Sequence, residues 1–334
     1  MARTVKTRIL PQEEYERWDA FVDTSPQGSL FNKSWWLSTV SSDFSILACE
    51  DGSGRIIGGI ALPRYYGTLY KNPPITTVLG VLLGDFSDLK NATRYSKEIE
   101  IVEEIVASLP RFRLFDYGFS YHFTNALPFK WAGFSFDIGC TYVIEDLSAV
   151  DALFDDFKTN IKTDVRKAAK NGVSITDALT IDDFYAVHRM TFQRQSMEVS
   201  YGKDFVLGIE RTLAARNARK MLFAVDEAKR IHAAAYIVHD ARCAYYFMGG
   251  GDPALRNSGA TSLVIWEAIR FAATVSREFN FEGSSVPSIE RFFRAFGGEQ
   301  RPYHIIRKSS AVTRMALSLL RTQRNLIYRF RKLP

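Results

Sequence analysis

Apolar residues recur along this chain at two periods, about 3.6 residues in some segments and 2 in others, which predicts a mixed α/β protein. In the first half the longer period predicts helices that start at Pro11, Asn32 and Asn91. Strands are expected between and after these helices, at residues 44–50, 55–62, 111–117 and 141–144. The turn Asp51–Gly54 joins the first two strands into a hairpin.

The second half repeats this order of elements. Two helices, at 180–195 and 203–215, precede three strands that we predict at 220–226, 231–239 and 242–248. A long helix at 260–275, a strand at 278–282, a helix at 287–296 and a strand at 303–308 follow. We therefore predict two tandem domains of one architecture, residues 1–146 and 147–308, each a mixed, mostly antiparallel twisted sheet flanked by helices.

Two further segments combine an apolar face with basic residues. Helical spacing over residues 148–172 predicts a helix between the domains, whose other face carries Lys158, Lys162, Arg166, Lys167 and Lys170. Residues 309–334 predict a basic amphipathic C-terminal helix that contains no acidic residue. Two interpretations stay open for both helices. The basic face of the helix between the domains is either solvated or lines a cleft between the domains, where it faces an anionic substrate. The C-terminal helix either packs back onto the first domain or binds anionic lipid or RNA phosphates. An anionic membrane surface and tRNA are the candidate partners of both helices.

Composition excludes several classes of protein. The chain has 334 residues, 46% of them hydrophobic, and a net charge of +6, which is typical of a globular protein with anionic partners. Three widely spaced cysteines, with no Cys/His pairing, argue against a disulfide framework and a zinc site, so we expect no metal. We find no secretion signal and no apolar run of about 18 residues, and expect a cytoplasmic protein, in one interpretation peripheral at the inner membrane face.

A glycine-rich turn carries the clearest chemical signal. The aromatic strand at 242–248 leads into Gly249, Gly250 and Gly251, and the helix at 260–275 begins shortly afterwards. The first turn of a helix has unpaired N–H groups and a positive dipole end, which together bind phosphate. The matching stretch of the first half, residues 84–90, has acidic residues instead, so we predict that the second domain is the active one and that the first lacks a cofactor.

Three passages of the second half resemble the acyl-CoA N-acyltransferases, the GNAT-like superfamily. These are TDVRKAAKNGV (163–173), MGGGDPALRNSGATSLVIWEAI (248–269) and FNFEGSSVPSIERFFRAFGGEQRPYHI (279–305). Within the superfamily the chain looks like the tandem-domain branch of Fem-type peptidoglycan aminoacyltransferases and exopolysaccharide-associated acetyltransferases. The resemblance covers about residues 150–308 and implies two GNAT-like domains.

The resemblance implies a cofactor loop of the form Arg/Gln-x-x-Gly-x-Gly/Ala. Here Arg256 and Gly259 match it, whereas Thr261 stands where a small residue is expected. Acyl-CoA, such as acetyl-CoA, is the implied co-substrate. Its predicted contacts are Phe247, Gly249, Arg256, Ser258, Gly259, Ala260 and Thr261.

Acyl transfer to an amine needs a base, an oxyanion site and a protonated leaving group. Backbone N–H groups around 247–249 are candidates for the oxyanion site. Glu282 ends the strand on the same alternate face as Asn280, and we predict it as the base; the alternative is an ion pair with Arg291 or Arg294. Tyr245 and Tyr246 lie on opposite strand faces, and we select Tyr246 as the general acid.

Acceptor contacts are predicted for the basic helix and for residues near the predicted cleft. These candidates are Arg166, Lys167, Gln193, Arg194 and Tyr303, whereas His188 and His232 are expected to be structural.

The resemblance implies an enzyme that transfers an acyl group from acyl-CoA to an amino group of a cell-envelope or polysaccharide-related acceptor, either a small molecule or lipid-linked. A first alternative is a Fem-type transferase that uses aminoacyl-tRNA to extend a peptidoglycan precursor. A second is a non-catalytic accessory protein of envelope assembly. No DNA partner is expected.

Overall fold

The computed structural model describes residues 5–194, 201–283 and 286–313, apart from the side chain of Arg194. These residues divide into two units, one formed by 5–138 and 303–313 and the other by the described part of 139–302. The division falls within two strands, β7 (Ser135–Ile144) and β13 (Glu299–Ser309). The sequence placed the boundary after residue 146 and ended the second domain at 308.

In the first unit the strands lie in the order β1-β2-β3-β4-β6-β13, with β5 paired to β3. Their bounds are β1 Lys6–Ile9, β2 Phe44–Glu50, β3 Ile56–Tyr66, β4 Leu69–Lys71, β5 Val81–Leu83 and β6 Leu114–Gly118. The helices are α1 Tyr15–Thr24, α2 Ser34–Val40, α3 Asn91–Ala107 and α4 Leu127–Trp131. The predicted hairpin is confirmed, since β2 and β3 pair antiparallel and Asp51 closes the turn with Arg55.

In the second unit the order is β7-β12-β11-β10-β9-β8. The strands are β8 Ser174–Thr176, β9 Arg219–Val225, β10 Ile231–His239, β11 Cys243–Gly251 and β12 Glu278–Asn280. The helices are α5 Val150–Asp156, α6 Thr159–Lys170, α7 Ile181–Arg194, α8 Lys203–Ala214, α9 Ala260–Ala272 and α10 Pro287–Arg294. The neighbouring strands from β7 to β9 pair antiparallel, except for β11 and β12, which run parallel. A mixed, mostly antiparallel sheet flanked by helices was predicted and is confirmed.

The core of the second unit is continuous across α6, α9 and one face of the strands. Helix α9 is apolar nearly all round, and its buried residues include Val264, Ile265, Ala268 and Ile269. Such a helix is covered on both sides. On the strand side α9 contacts β10 and β9, and on its other side it contacts α6. Because the strands and α6 cover α9, they also determine which groups can reach its N-terminus.

The single helix predicted over 148–172 is wrong, because the chain breaks into α5 and α6. Phe157 and Lys158 have extended backbone, with ψ of 144° and 148°. The break turns the Phe157 ring inward, where it is 2% exposed and lies 5.3 Å from the ring of Trp266 and 5.2 Å from that of Phe296. The gain from burying an aromatic ring outweighs the continuity of a helix whose outer face is solvated.

The predicted C-terminal helix falls mainly outside the described residues, which end at Thr313. None of the helices in the described part of the chain is long and apolar enough to cross a membrane.

Candidate functional site

The strands β11 and β12 separate after only three paired residues. Their parallel register runs from Cys243 opposite Glu278 to Tyr245 opposite Asn280, where β12 ends. Strand β11 continues to Gly251 and remains paired with β10 along its other side. Over residues 246–251, therefore, one edge of β11 has no strand partner among the residues that the structure describes. Backbone N–H and C=O groups on an edge without a strand partner can bond to side chains of other elements or to a substrate.

The direction of each backbone group follows from the neighbouring hydrogen bonds. The Asp252 N–H donates to the His232 carbonyl on β10 at 3.1 Å, so Asp252 faces β10. Because successive residues of a strand alternate, Gly250 also faces β10, whereas Gly249 and Gly251 face the open edge. The Gly249 N–H therefore points into the opening between β11 and β12. It belongs to the segment in which the sequence predicted an oxyanion site.

A β-bulge lies at the start of this opening. Tyr246 is opposite Ile237 and Met248 is opposite Tyr236, so Phe247 is the extra residue on β11. A bulge bends its strand and redirects side chains, and bulges are common beside active sites. The Phe247 ring packs 6.0 Å from the ring of Tyr236, on the side of the sheet that α7 covers.

Tyr246 lies on the other side of the sheet from Phe247. Its ring is half-buried and makes an edge contact with Phe293 at 5.6 Å. A side chain at Gly249 would overlap the Tyr246 hydroxyl, so this hydroxyl lies directly beside the strand residue whose N–H faces the opening. Burial raises the pKa of Tyr246. Its hydroxyl therefore holds its proton more tightly than an exposed tyrosine does, and its role as general acid stays a prediction.

The predicted cofactor loop forms a short 3-10 turn at Arg256–Ser258 that ends in left-handed backbone at Gly259, with φ of 83°. Two of the N–H groups assigned to a pyrophosphate already have partners in the loop. The Ser258 N–H donates to the Leu255 carbonyl at 3.1 Å, and the Ala260 N–H donates to the Ser258 hydroxyl at 3.3 Å. The Arg256 side chain is exposed.

Helix α6 covers the N-terminus of α9. A side chain at Gly259 would overlap the backbone carbonyl oxygen of Asp164, and the Asp164 carboxylate lies 3.4 Å from the Ser262 hydroxyl in the first turn of α9. Ala260 and Ser262 are both 2% exposed. A carboxylate near a helix N-terminus is electrostatically favourable and competes there with any other anion. The loop and the first turn of α9 therefore do not fit a pyrophosphate held from Ser258 to Thr261.

Glu282 lies two residues beyond the end of β12, rather than in the strand as predicted. Its backbone is left-handed, with φ of 61°, and its N–H donates to the side-chain oxygen of Asn280 at 2.8 Å. Asn280 is buried and also accepts a hydrogen bond from Thr141 at 2.6 Å. The direction of the Glu282 side chain is therefore not set by the alternation of the strand. It is set by a turn that the Asn280 side chain stabilises. Left-handed backbone at a non-glycine residue carries strain and is found preferentially at functional sites.

One of the two arginines predicted as ion-pair partners of Glu282 has an acidic neighbour within its own helix. Arg294 forms an ion pair with Glu290 at 2.9 Å, within α10. The catalytic role of Glu282 stays a prediction.

The predicted acceptor residues lie on three elements, α6, α7 and β13. Arg166 and Lys167 are exposed on α6, where the Arg166 guanidinium lies 5.8 Å from the Phe154 ring. Gln193 is exposed near the end of α7, and Arg194 is its last residue. Tyr303 belongs to the first unit, because β13 pairs there with β6; its ring lies against Gly118. The structure thus separates Tyr303 from the second unit, to which the sequence had assigned it.

Sequence reasoning missed the role of α7 at the open edge. His188, only 3% exposed, lies with Nδ1 2.7 Å from the Gly249 carbonyl oxygen and Nε2 3.0 Å from the Tyr201 hydroxyl. The Gly251 N–H donates to the Thr191 hydroxyl at 3.1 Å. The sequence signal was the spacing of Phe184, His188 and Thr191, which places two polar residues on the buried face of an amphipathic helix.

Metal chemistry has no candidate site in the parts of the chain that the structure covers, where no group of three or more His, Cys, Asp or Glu side chains could hold an ion.

Comparison with known proteins places this site in a recognised domain. Residues 155–284 match the family model of the Acetyltransferase (GNAT) domain. No curated protein matches the chain.

Several solved structures share the fold over nearly the whole chain. FemX aligns with a TM-score of 0.65 at 14% identity, over 90% of this chain and 96% of that one. The C-terminal domain of a putative lysylphosphatidylglycerol synthetase from Agrobacterium fabrum aligns with a TM-score of 0.56 at 13% identity, over 92% and 95%. A tandem GNAT protein from the clavulanic acid biosynthesis pathway gives 0.52 at 14% identity, over 91% and 97%.

The opening between β11 and β12, the strand and helix order around it and the domain match together define an acyltransferase of the GNAT type. Residues 155–284 are thus similar to the GNAT domain family, and the chain as a whole shares its fold with FemX and with a tandem GNAT protein. GNAT domains typically use acetyl-CoA.

Proposed function

We propose that the protein is an N-acyltransferase that acylates an amino group of a cell-envelope or polysaccharide-related acceptor at the open edge of β11. The observation that carries the proposal is the separation of β11 from β12 after Tyr245, which leaves the Gly249 N–H directed into an opening within a GNAT domain. The envelope assignment is supported by the named relatives, FemX and a lysylphosphatidylglycerol synthetase, the second of which is named for an aminoacylated lipid.

The chemistry has three requirements, and this chain offers a group for each. The amine nitrogen attacks the acyl carbon, a C–N bond forms, and the bond from that carbon to the oxygen or sulfur of the donor breaks. The Gly249 N–H stabilises the negative charge on the acyl oxygen. Glu282 accepts the proton that the amine loses, and the Tyr246 hydroxyl gives a proton to the leaving group.

The identity of the acyl donor, acyl-CoA or aminoacyl-tRNA, is a separate question. The sequence favoured acyl-CoA, whose pyrophosphate would contact Ser258, Gly259, Ala260 and Thr261. Because Asp164 and the backbone of α6 cover that position, the geometry favours a donor that does not place a pyrophosphate there. Aminoacyl-tRNA is such a donor, and the exposed cations of α6 suit its phosphates. We therefore propose aminoacyl-tRNA ahead of acyl-CoA.

Binding and transfer measurements with both donors test this choice. We expect no calorimetric signal for acetyl-CoA or CoA, and transfer of a labelled amino acid from aminoacyl-tRNA to an amine acceptor. A micromolar Kd for acetyl-CoA that weakens at least tenfold in Arg256→Ala would instead establish acyl-CoA as the donor. If neither donor supports transfer to peptidoglycan precursors, amino sugars or aminated lipids, the accessory-protein alternative is favoured.

Substitution of the two candidate catalytic groups tests the mechanism. Glu282→Gln and Tyr246→Phe should each lower kcat by about 10²–10⁴, since both keep the shape of the side chain and remove its proton chemistry. Glu267→Gln on α9 is the matched control, because Glu267 forms an ion pair with Arg270 on the same helix and its loss should leave kcat unchanged. An unaltered rate in Glu282→Gln would remove Glu282 from the mechanism.

A further inference from the structure

The open edge of β11 ends in three consecutive glycines, the residues with the greatest backbone freedom. The identity of the first two, Gly249 and Gly250, is explained by their neighbours. A side chain at Gly249 would overlap the Tyr246 hydroxyl, and one at Gly250 would come within 2.7 Å of the His188 backbone. Glycine is therefore required for close packing here. Three glycines in a strand nevertheless weaken it, because they lose the most conformational entropy on folding.

Helix α7 restrains the glycine segment of β11, which has no side chains of its own to pack. His188 binds the Gly249 carbonyl, and Thr191 accepts from the Gly251 N–H, so one helix face fastens both residues that point away from β10. These two bonds replace the strand-to-strand bonds that β12 would have made, had it continued beyond Asn280.

The state of His188 follows from its partners. A carbonyl oxygen only accepts, so Nδ1 carries the proton and donates it to Gly249. Nε2 then accepts from the Tyr201 hydroxyl, whose pKa burial raises to about 12. The imidazole is stacked between the rings of Phe184 and Tyr201, at 5.6 and 6.2 Å with an angle of 19° to each. Its position and its tautomer are thus both fixed.

We propose that His188, with Thr191, is a positioning residue that holds the glycine segment of β11 so that the Gly249 N–H faces the acyl oxygen. Only the statement that the Gly249 N–H faces the acyl oxygen rests on the proposed function. The restraint itself is a property of the folded protein and is measurable without substrate.

Three variants of the full-length protein separate the donor atom from the bulk of the side chain. His188→Asn keeps an N–H donor near the position of Nδ1, whereas His188→Leu keeps the volume and removes the donor. Thr191→Val removes the acceptor for Gly251 alone. Amide hydrogen exchange of residues 249–252 measures the restraint, thermal unfolding measures global stability, and kcat and KM for transfer measure its consequence.

We expect exchange at Gly250, which is paired with β10, and at Gly251, whose N–H donates to Thr191, to accelerate at least tenfold in His188→Leu and to stay within about threefold of wild type in His188→Asn. Thr191→Val should accelerate Gly251 and leave Gly250 unchanged. In transfer, His188→Leu should lose at least tenfold in kcat with KM within twofold, and His188→Asn should recover most of the rate.

Exchange that is equal in His188→Leu and wild type would overturn the restraint. Equal loss of kcat in the Leu and Asn variants would overturn the positioning role, because the donor atom would then not matter. If wild type transfers from neither donor, the proposed function fails, while the exchange data still decide whether α7 holds the strand.

Discussion

Gly259 combines two demands that only glycine meets at this point of the chain. Its φ of 83° is left-handed, and its missing side chain admits the Asp164 carbonyl of α6. The same residue had been predicted as part of a phosphate cradle, a role that requires open space beside it. Its surroundings assign it instead to helix packing.

Gly259→Ala should be destabilising for both reasons. Left-handed backbone costs a non-glycine residue about 1–2 kcal/mol, and overpacking against α6 adds about 1–3 kcal/mol. Denaturant unfolding is the measurement. Gly208→Ala in α8 is the control, since nothing lies within 4 Å of its added methyl group and it should gain about 0.5–1 kcal/mol. A neutral Gly259→Ala would contradict the close packing of α6 on this residue.

The pH dependence of stability is also set by single residues, here two histidines. Burial lowers the pKa of His188 and of His239 below the ordinary value of 6.5. The unfolded chain therefore binds protons more readily, so the free energy of unfolding should fall as the pH drops below about 6.5. Above that pH both states are neutral and the contribution is constant.

Urea unfolding of wild type and His188→Asn between pH 5 and 8 measures this contribution. The variant should show a smaller loss of stability on acidification. Identical slopes for wild type and His188→Asn would contradict the burial of a neutral imidazole.

At the scale of elements, the site is set by where strands and helices stop. β12 ends at Asn280, so β11 acquires an open edge, and α5 ends at Asp156, so Phe157 enters the core. Neither end is marked in the local pattern. The apolar spacing continues through Phe157, and the alternation continues to Glu282, because the local sequence encodes preference but not the partner that overrides it.

The break between α5 and α6 predicts that removal of the Phe157 ring strongly lowers the free energy of unfolding. Phe157→Ala should cost about 3–5 kcal/mol, as expected for a buried aromatic side chain that contacts Trp266 and Phe296. Trp131→Ala, which removes a ring that is 59% exposed, should change stability by about 0.5 kcal/mol or less. Chemical denaturation of both variants checks the contrast. A small loss for Phe157→Ala would mean that the break is not stabilised by the aromatic cluster.

At the scale of the whole molecule, the net charge of +6 is the property that concerns partners. The basic face of α6 and the basic residues of the segment 309–334 are proposed to bind an anionic membrane surface or tRNA. Attraction between exposed charges is screened within about 8 Å at physiological salt, so such binding is sensitive to ionic strength.

Sedimentation with vesicles of 30% anionic lipid tests the membrane partner. We expect binding at low salt that is lost at high salt, and weaker binding after deletion of residues 314–334. Neutral vesicles are the control. Equal binding by the full and shortened chains would leave the C-terminal segment without a role at membranes.

The sequence by itself determined the order of elements, the strand-loop-helix around Gly249–Thr261 and the resemblance to GNAT-like acyltransferases. Periodicity and turn residues are local, and they survive in most of the described elements. The tertiary structure alone decided that α6 covers the N-terminus of α9, that α7 fastens the glycines of β11, and that Tyr303 belongs to the first unit. These are contacts between residues far apart in the chain, and they depend on packing that no local pattern specifies.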